Sequence, residues 1–67
     1  MYKTTDKKNG LYANIGQNWN GIIWAEIYEV WNGLQFMPES AITCATNAEA
    51  KFWLHGHGVP YNNISLV

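Results

Sequence analysis

The sequence has one cysteine, no arginine and few charged residues of any kind. Cys44 has no second cysteine to pair with, so a disulfide framework inside the chain is excluded. Charged residues make up 13% of the chain, against about 25% in ordinary globular domains. A surface so poor in charge indicates that part of it is covered by another molecule.

The missing arginine also bears on the partner. Four lysines carry the formal positive charge, and the net charge is −1. Proteins that bind DNA neutralise many phosphates with Lys and Arg, so duplex nucleic acid is not an expected partner. The sequence has neither a signal-peptide pattern nor the roughly 20-residue apolar run of a membrane span. Because the chain has no cysteine pair, the sequence predicts a cytoplasmic protein that is not attached to a membrane.

The 67 residues predict a single compact domain spanning residues 1–67. A core of this size contributes only about 3–5 kcal/mol, and natural proteins this small usually add disulfides, a metal or a partner subunit. Because no internal disulfide is available, we expect a homodimer.

The chain is organised around an apolar run at 22–31, which is flanked by Trp-Asn-Gly at 19–21 and again at 31–33. A third Asn-Gly stands at 9–10. Asn-Gly between apolar residues is a strong hairpin signal, because both residues tolerate positive φ. The run itself is rich in Ile, Trp, Tyr and Val, which favours a strand. Its apolar spacing also fits a helix with both glutamates on one side, so the two interpretations stay open.

A helix is predicted over 46–55. Thr46 and Glu49 form a capping box at its start, and Gly56 occupies the expected C′ position. Residues 1–8 form either a first strand or a loose arm. The sequence therefore predicts an α+β fold, a small antiparallel β-meander of four to five strands with this helix packed on one face.

No catalytic constellation is present, so we expect a protein that is not an enzyme and has no cofactor. Glu26 and Glu29 lie on opposite faces if the run is a strand, which excludes an acid–base pair. An alternative is a metal or thiol site built from Cys44, His55 and His57, whose side chains suit transition metals. It lacks the full ligand set with recognisable spacing that structural zinc sites have.

The aromatic residues support the favoured hypothesis, a non-enzymatic protein-binding module. Trp and Tyr are frequent hot-spot residues at interfaces, and Asn supplies adaptable hydrogen bonds. The predicted partner-binding residues are Trp19, Asn20, Tyr28, Trp31 and Asn32. We expect such a module to be an inhibitor or adaptor that is encoded by a bacteriophage or mobile element and acts on a host protein. The alternative is a protein that sequesters a small ligand, a nucleotide or a sugar, in an aromatic pocket at a dimer seam.

Overall fold

The computed structural model describes residues 2–36, 38 and 40–67. The predicted α+β class is confirmed, with one α-helix and six strands in the described residues. The elements in chain order are β1 (Tyr2–Thr4), β2 (Gly10–Gln17), β3 (Ile23–Trp31), β4 (Leu34–Phe36), β5 (Ser40–Cys44), α1 (Asn47–Gly56), a 3₁₀ turn (Tyr61–Asn63) and β6 (Ile64–Leu66).

β3 is the centre of the sheet. One of its edges pairs with β2 along eight residues of each strand, from Gln17–Ile23 to Gly10–Val30. The other edge is shared, because β5 pairs with its first half and β4 with its last two residues. β1 extends the sheet beyond β4, and β6 extends it beyond β2. β6 runs parallel to β2 whereas the other pairs are antiparallel, so the sheet is mixed.

The strand interpretation of 22–31 is confirmed, and the helical one is wrong. Ala25 and Ile27 are buried on the side of the sheet that faces α1, while Tyr28 and Val30 are buried on the opposite side. Each face of β3 is thus covered over only part of its length. This explains why neither face is cleanly apolar in sequence and why the periodicity was ambiguous.

α1 packs on one face of the sheet, as predicted. Thr46 caps it, since the Thr46 hydroxyl accepts a hydrogen bond from the Glu49 amide at 3.1 Å. Ala50 and Leu54 lie on the side of α1 that faces the sheet and are fully buried. The core cluster consists of Ala13, Ile15, Ala25, Ile27, Cys44, Ala50, Leu54 and Val59. The packing of α1 on β2, β3 and β5 thus gives a chain this short one contiguous core.

The predicted C′ position of the helix is wrong by two residues. Gly56 is still helical, and the residue with left-handed backbone is Gly58, at φ +93°. The Val59 amide donates to the Leu54 carbonyl at 3.1 Å, and the Gly58 amide donates to the His55 carbonyl at 3.0 Å. These two bonds define a Schellman motif, which brings the fully buried Leu54 and Val59 together. The helix ends where that apolar contact can form.

The N-terminal segment forms a strand rather than a loose arm, although Met1 lies outside the described residues. β1 pairs with β4 instead of with its neighbour in sequence, β2. The connection at 5–9 therefore crosses the end of the β3–β4 hairpin, where the Thr5 amide donates to the Gly33 carbonyl. For this reason the Asn-Gly at 9–10 does not close a hairpin.

Candidate functional site

The longest unpaired strand edge in the described part of the chain belongs to β5. β5 pairs with β3 from Ser40–Ile27 to Cys44–Ile23, and its other edge meets no described strand. Natural sheets protect their edges with charges, proline or very short strands. β1 and β6 have three residues each, whereas β5 has five and contains neither charge nor proline. β5 is therefore the edge best suited to accept a further strand.

A groove of about 370 Å³ lies beside this edge, between β5 and α1. Ile42 contributes from β5, on the side of the sheet that faces the helix. The helical residues of the groove recur at intervals of three and four positions, which places them along one flank of α1. The lining residues are Ile42, Glu49, Phe52, Trp53, Gly56 and His57.

The two aromatic side chains of the groove differ in their burial. Trp53 is half-buried and packs against the core. Phe52 is 80% exposed and forms the rim of the groove. Large aromatic side chains that fill a partner's pocket are typical anchors of an interface. Phe52 is thus available to another molecule without any rearrangement of the core.

The polar groups of the groove come from the first turn and the C-terminal end of α1. Glu49 lies in the first turn and acts electrostatically on Cys44, the last residue of β5. The His57 ring packs on the Trp53 ring with centroids 4.3 Å apart, and its Nδ1 lies 2.9 Å from the Trp53 carbonyl oxygen. The groove therefore combines an apolar middle with a carboxylate and an imidazole.

The structure does not support a reactive thiol at Cys44. Burial raises the pKa of the Cys44 thiol, and the nearby Glu49 carboxylate raises that pKa further. Because the thiolate is the nucleophilic form, both effects lower the reactivity of this cysteine at neutral pH. Cys44 instead belongs to the hydrophobic core.

The structure likewise does not bring together the residues of the predicted metal site. The sequence places His55 and His57 on one side only if the backbone between them is extended, whereas α1 continues through Gly56. The His55 ring stacks on Tyr61 with centroids 4.3 Å apart, while the His57 ring contacts Trp53. Within residues 2–36, 38 and 40–67, no three His, Cys, Asp or Glu side chains form a group that could hold a metal ion.

The five predicted partner-binding residues do not form one surface. Trp19 and Asn20 lie in the loop before β3, whereas Trp31 and Asn32 lie at its far end. At about 3.3 Å per residue, the two ends of this strand are roughly 26 Å apart. Trp19 is 97% exposed and Trp31 is 53% exposed. Each end can still contact a partner, but not as parts of a single compact face.

Tyr28 is the one predicted partner-binding residue that is buried in the structure. It is only 4% exposed, and its ring stacks on Tyr12 with centroids 5.8 Å apart. Burial raises the pKa of Tyr28, and the charges of Tyr12 and Glu26 add to this rise. A partner therefore has little access to this side chain in the structure, and the binding role of Tyr28 stays a prediction.

Sequence reasoning missed Ile42 and Phe52. One signal for Phe52 was present: on a helix whose Ala50, Trp53 and Leu54 face the sheet, residue 52 projects to the solvent side. A large apolar residue at such a position is informative. No local pattern marks Ile42, because its place in the groove depends on the pairing of β5 with β3 and on the path of α1.

The chain matches no protein-family model, and neither curated proteins nor solved structures give a match. None of the helices in the described residues has the length and apolar character needed to cross a membrane. The candidate site therefore has to be judged from its own geometry.

Proposed function

We propose that the protein is a non-enzymatic protein-binding module, an inhibitor or adaptor, that adds an extended segment of its partner to the free edge of β5. The observation that carries the proposal is the uncharged edge of Ser40–Cys44 beside an apolar groove. The cytoplasmic location and the phage or mobile-element origin stay predictions from the sequence.

The binding mode follows from the chemistry of strand addition. The backbone amides and carbonyls on the outer edge of β5 hydrogen-bond to an extended segment, which supplies affinity without demanding a particular sequence. Side chains of that segment alternate between the two sheet faces. The one that points to the helix side next to Ile42 enters the groove and contacts Phe52 and Trp53. This side chain supplies the specificity, and an apolar residue suits the groove.

The test uses peptides selected from a random display library against the immobilised protein and then titrated in solution. Phe52→Ala is expected to weaken the selected peptides by more than tenfold, because a desolvated aromatic anchor often contributes 2 kcal/mol or more. The matched control is Lys51→Ala, the neighbouring exposed residue of α1. It is expected to change affinity by less than twofold. Since Phe52 is 80% exposed, its loss leaves the core intact.

Hydrogen exchange and two further variants separate this site from the sequence-predicted one. In the complex, the outward-facing backbone amides of Ser40–Cys44 are expected to become protected. Strand addition at β5 is wrong if the peptides leave these amides unprotected. It is also wrong if Trp19→Ala or Trp31→Ala reduces affinity while Phe52→Ala does not. That second result would locate the partner at one end of β3.

A second copy of this chain is another candidate partner for the same edge. The homodimer predicted from the sequence would form in this way. An antiparallel pair of β5 strands related by a two-fold axis is isologous, so each copy covers the edge and groove of the other. Sedimentation equilibrium is expected to show a dimer that Thr43→Lys dissociates, because a charged residue on an edge strand opposes pairing. A monomer at every accessible concentration contradicts the dimer without affecting peptide binding.

A further inference from the structure

The face of the sheet opposite α1, here called the helix-free face, carries a second cluster of aromatic and polar side chains. Alternate residues of β3 point to it, beginning with Trp24 and Glu26. Their cross-strand partners Gly16 and Asn14 on β2 share that face. α1 packs on the other side, so this cluster is separate from the groove and does not depend on the proposed protein-binding function.

Trp24 lies over the backbone of Gly16. A side chain at Gly16 would collide with the six-membered ring of the indole, which occupies the space directly above this glycine. Gly16 is buried under the ring, and Trp24 is half-buried. With one face of the indole against the sheet, the other face is turned away from it. This arrangement stabilises a glycine in a strand and also presents an aromatic platform.

A row of hydrogen-bonding groups borders the platform. Asn14 Nδ2 donates to Glu26 Oε1 at 3.2 Å, which fixes the amide and the carboxylate side by side. The register continues this row with the exposed hydroxyl of Ser65 on β6, opposite Asn14. Thr43 on β5 lies opposite Trp24 and is also exposed. Groups on neighbouring strands are about 4.8 Å apart, so several can contact one small ring at once.

The charges of the described side chains narrow the ligand class. The Lys7 ammonium lies 5.3 Å from the centre of the Tyr12 ring, which is on the helix-free face two residues before Asn14 and four before Gly16. Lys51 is on α1, on the other side of the sheet. Phosphate groups need cations or clustered amide donors, and Glu26 would repel them. The Glu26 carboxylate thus disfavours a phosphate group beside the indole, whereas an uncharged ligand with an apolar face and hydroxyl groups at its rim fits this surface.

We propose that Trp24, Glu26 and Asn14 form a binding site for a neutral sugar ring. The C–H face of the ring stacks on the indole, and its hydroxyl groups exchange hydrogen bonds with the Glu26 carboxylate and the Asn14 amide. In this proposal the small-ligand site lies on the surface of a single chain and not at a dimer seam.

The experiment is a titration of the protein with cellobiose, chitobiose, maltose and lactose, each used separately. Two-dimensional NMR spectra recorded at each step monitor binding. At least one disaccharide is expected to shift the Trp24 indole resonance and the Asn14 side-chain amide resonances saturably, with a millimolar Kd. Trp24→Leu is expected to weaken that disaccharide by more than tenfold, since it covers Gly16 but offers no aromatic face. Trp19→Leu is the matched control, because Trp19 lies outside the cluster, and its affinity is expected to be unchanged.

Glu26→Gln provides a second measurement that does not depend on the stability of the Trp24 variant. It keeps an acceptor for Asn14 but removes the carboxylate, and it is expected to weaken the same disaccharide by several-fold. The proposal is overturned if none of the four sugars shifts these resonances. It is also overturned if adenosine monophosphate or tetramethylammonium shifts them and the sugars do not, or if Trp24→Leu binds as tightly as the parent.

Discussion

The same tripeptide, Trp-Asn-Gly, occurs at both ends of β3 and folds in two different ways. At 31–33, Trp31 is the last residue of the strand, and Asn32-Gly33 alone makes the turn, with φ of +52° and +79°. Positive φ at both positions is the mark of a type I′ turn. At 19–21, all three residues lie in the loop, and only the glycine has positive φ, at +88°.

The bonds around the two turns differ as well. The first loop closes locally: the Asn18 amide donates to the Ile22 carbonyl at 2.8 Å, and the Gly21 amide donates to the Asn18 carbonyl at 2.9 Å. The second turn is held from outside by the connection at 5–9. Asn9 accepts a hydrogen bond from the Asn32 amide, and the Gly33 carbonyl accepts one from Thr5.

Strand register explains why one sequence gives two turns. In the observed register, Ile15 lies opposite Ala25, and both are buried beneath α1. A two-residue turn at Asn20-Gly21 would shift β2 by one residue against β3 and place Ile15 opposite Glu26. Such a slip moves every side chain of β2 to the other face. Burial therefore selects the register, and the register selects the turn.

The strongest test of this comparison replaces the glycine of each turn. Gly33→Ala and Gly21→Ala are each expected to lower the free energy of unfolding by about 1–2 kcal/mol, because left-handed backbone is unfavourable for alanine. The two variants are expected to differ in which segment of the chain opens locally. In Gly33→Ala, the amides of β1 are expected to exchange faster, since Thr5 loses a well-placed acceptor. In Gly21→Ala, they are expected to exchange at the parent rate.

Gly56→Ala is the control for these two variants. Gly56 is helical, its φ is not positive, and a Cβ there would meet no atom within 4 Å. Alanine is expected to stabilise the protein by about 0.4–1 kcal/mol at this position. Urea denaturation measures all three changes. A loss at Gly56 as large as that at Gly33 would show that backbone conformation is not the cause.

The sequence predicts the local elements of this fold better than their arrangement. The helix after Thr46 and the strand interpretation of 22–31 rest on capping and propensity, which are properties of neighbouring residues. The pairing of β1 with β4 and the parallel position of β6 depend on contacts distant in the chain. The groove beside β5 is of this second kind. Its residues come from a strand and a helix that meet only after the sheet is assembled, so the sequence marks Phe52 as an exposed apolar residue but not the groove to which it belongs.

A smaller effect is expected from the asparagine side chains that serve the two turns. Asn9 Oδ1 accepts from the Asn32 amide at 2.7 Å across 23 residues of sequence. Asn20 Oδ1 accepts from the Ile22 amide at 3.3 Å, within its own loop. The first bond joins the 5–9 connection to the β3–β4 hairpin, whereas the second only supports a loop that backbone bonds already close.

Asn9→Ala is therefore expected to lower the free energy of unfolding by about 1 kcal/mol, the usual net value of one hydrogen bond. Asn20→Ala is expected to change it by less than about 0.5 kcal/mol, as for most exposed substitutions. Asn9→Asp retains the acceptor and is expected to restore most of the loss, which separates the hydrogen bond from a general effect of truncation. Urea denaturation of the three variants provides the comparison. Equal losses at Asn9 and Asn20 would mean that the turn at 31–33 is encoded locally, as the turn at 19–21 is, and that the connection at 5–9 contributes nothing to it.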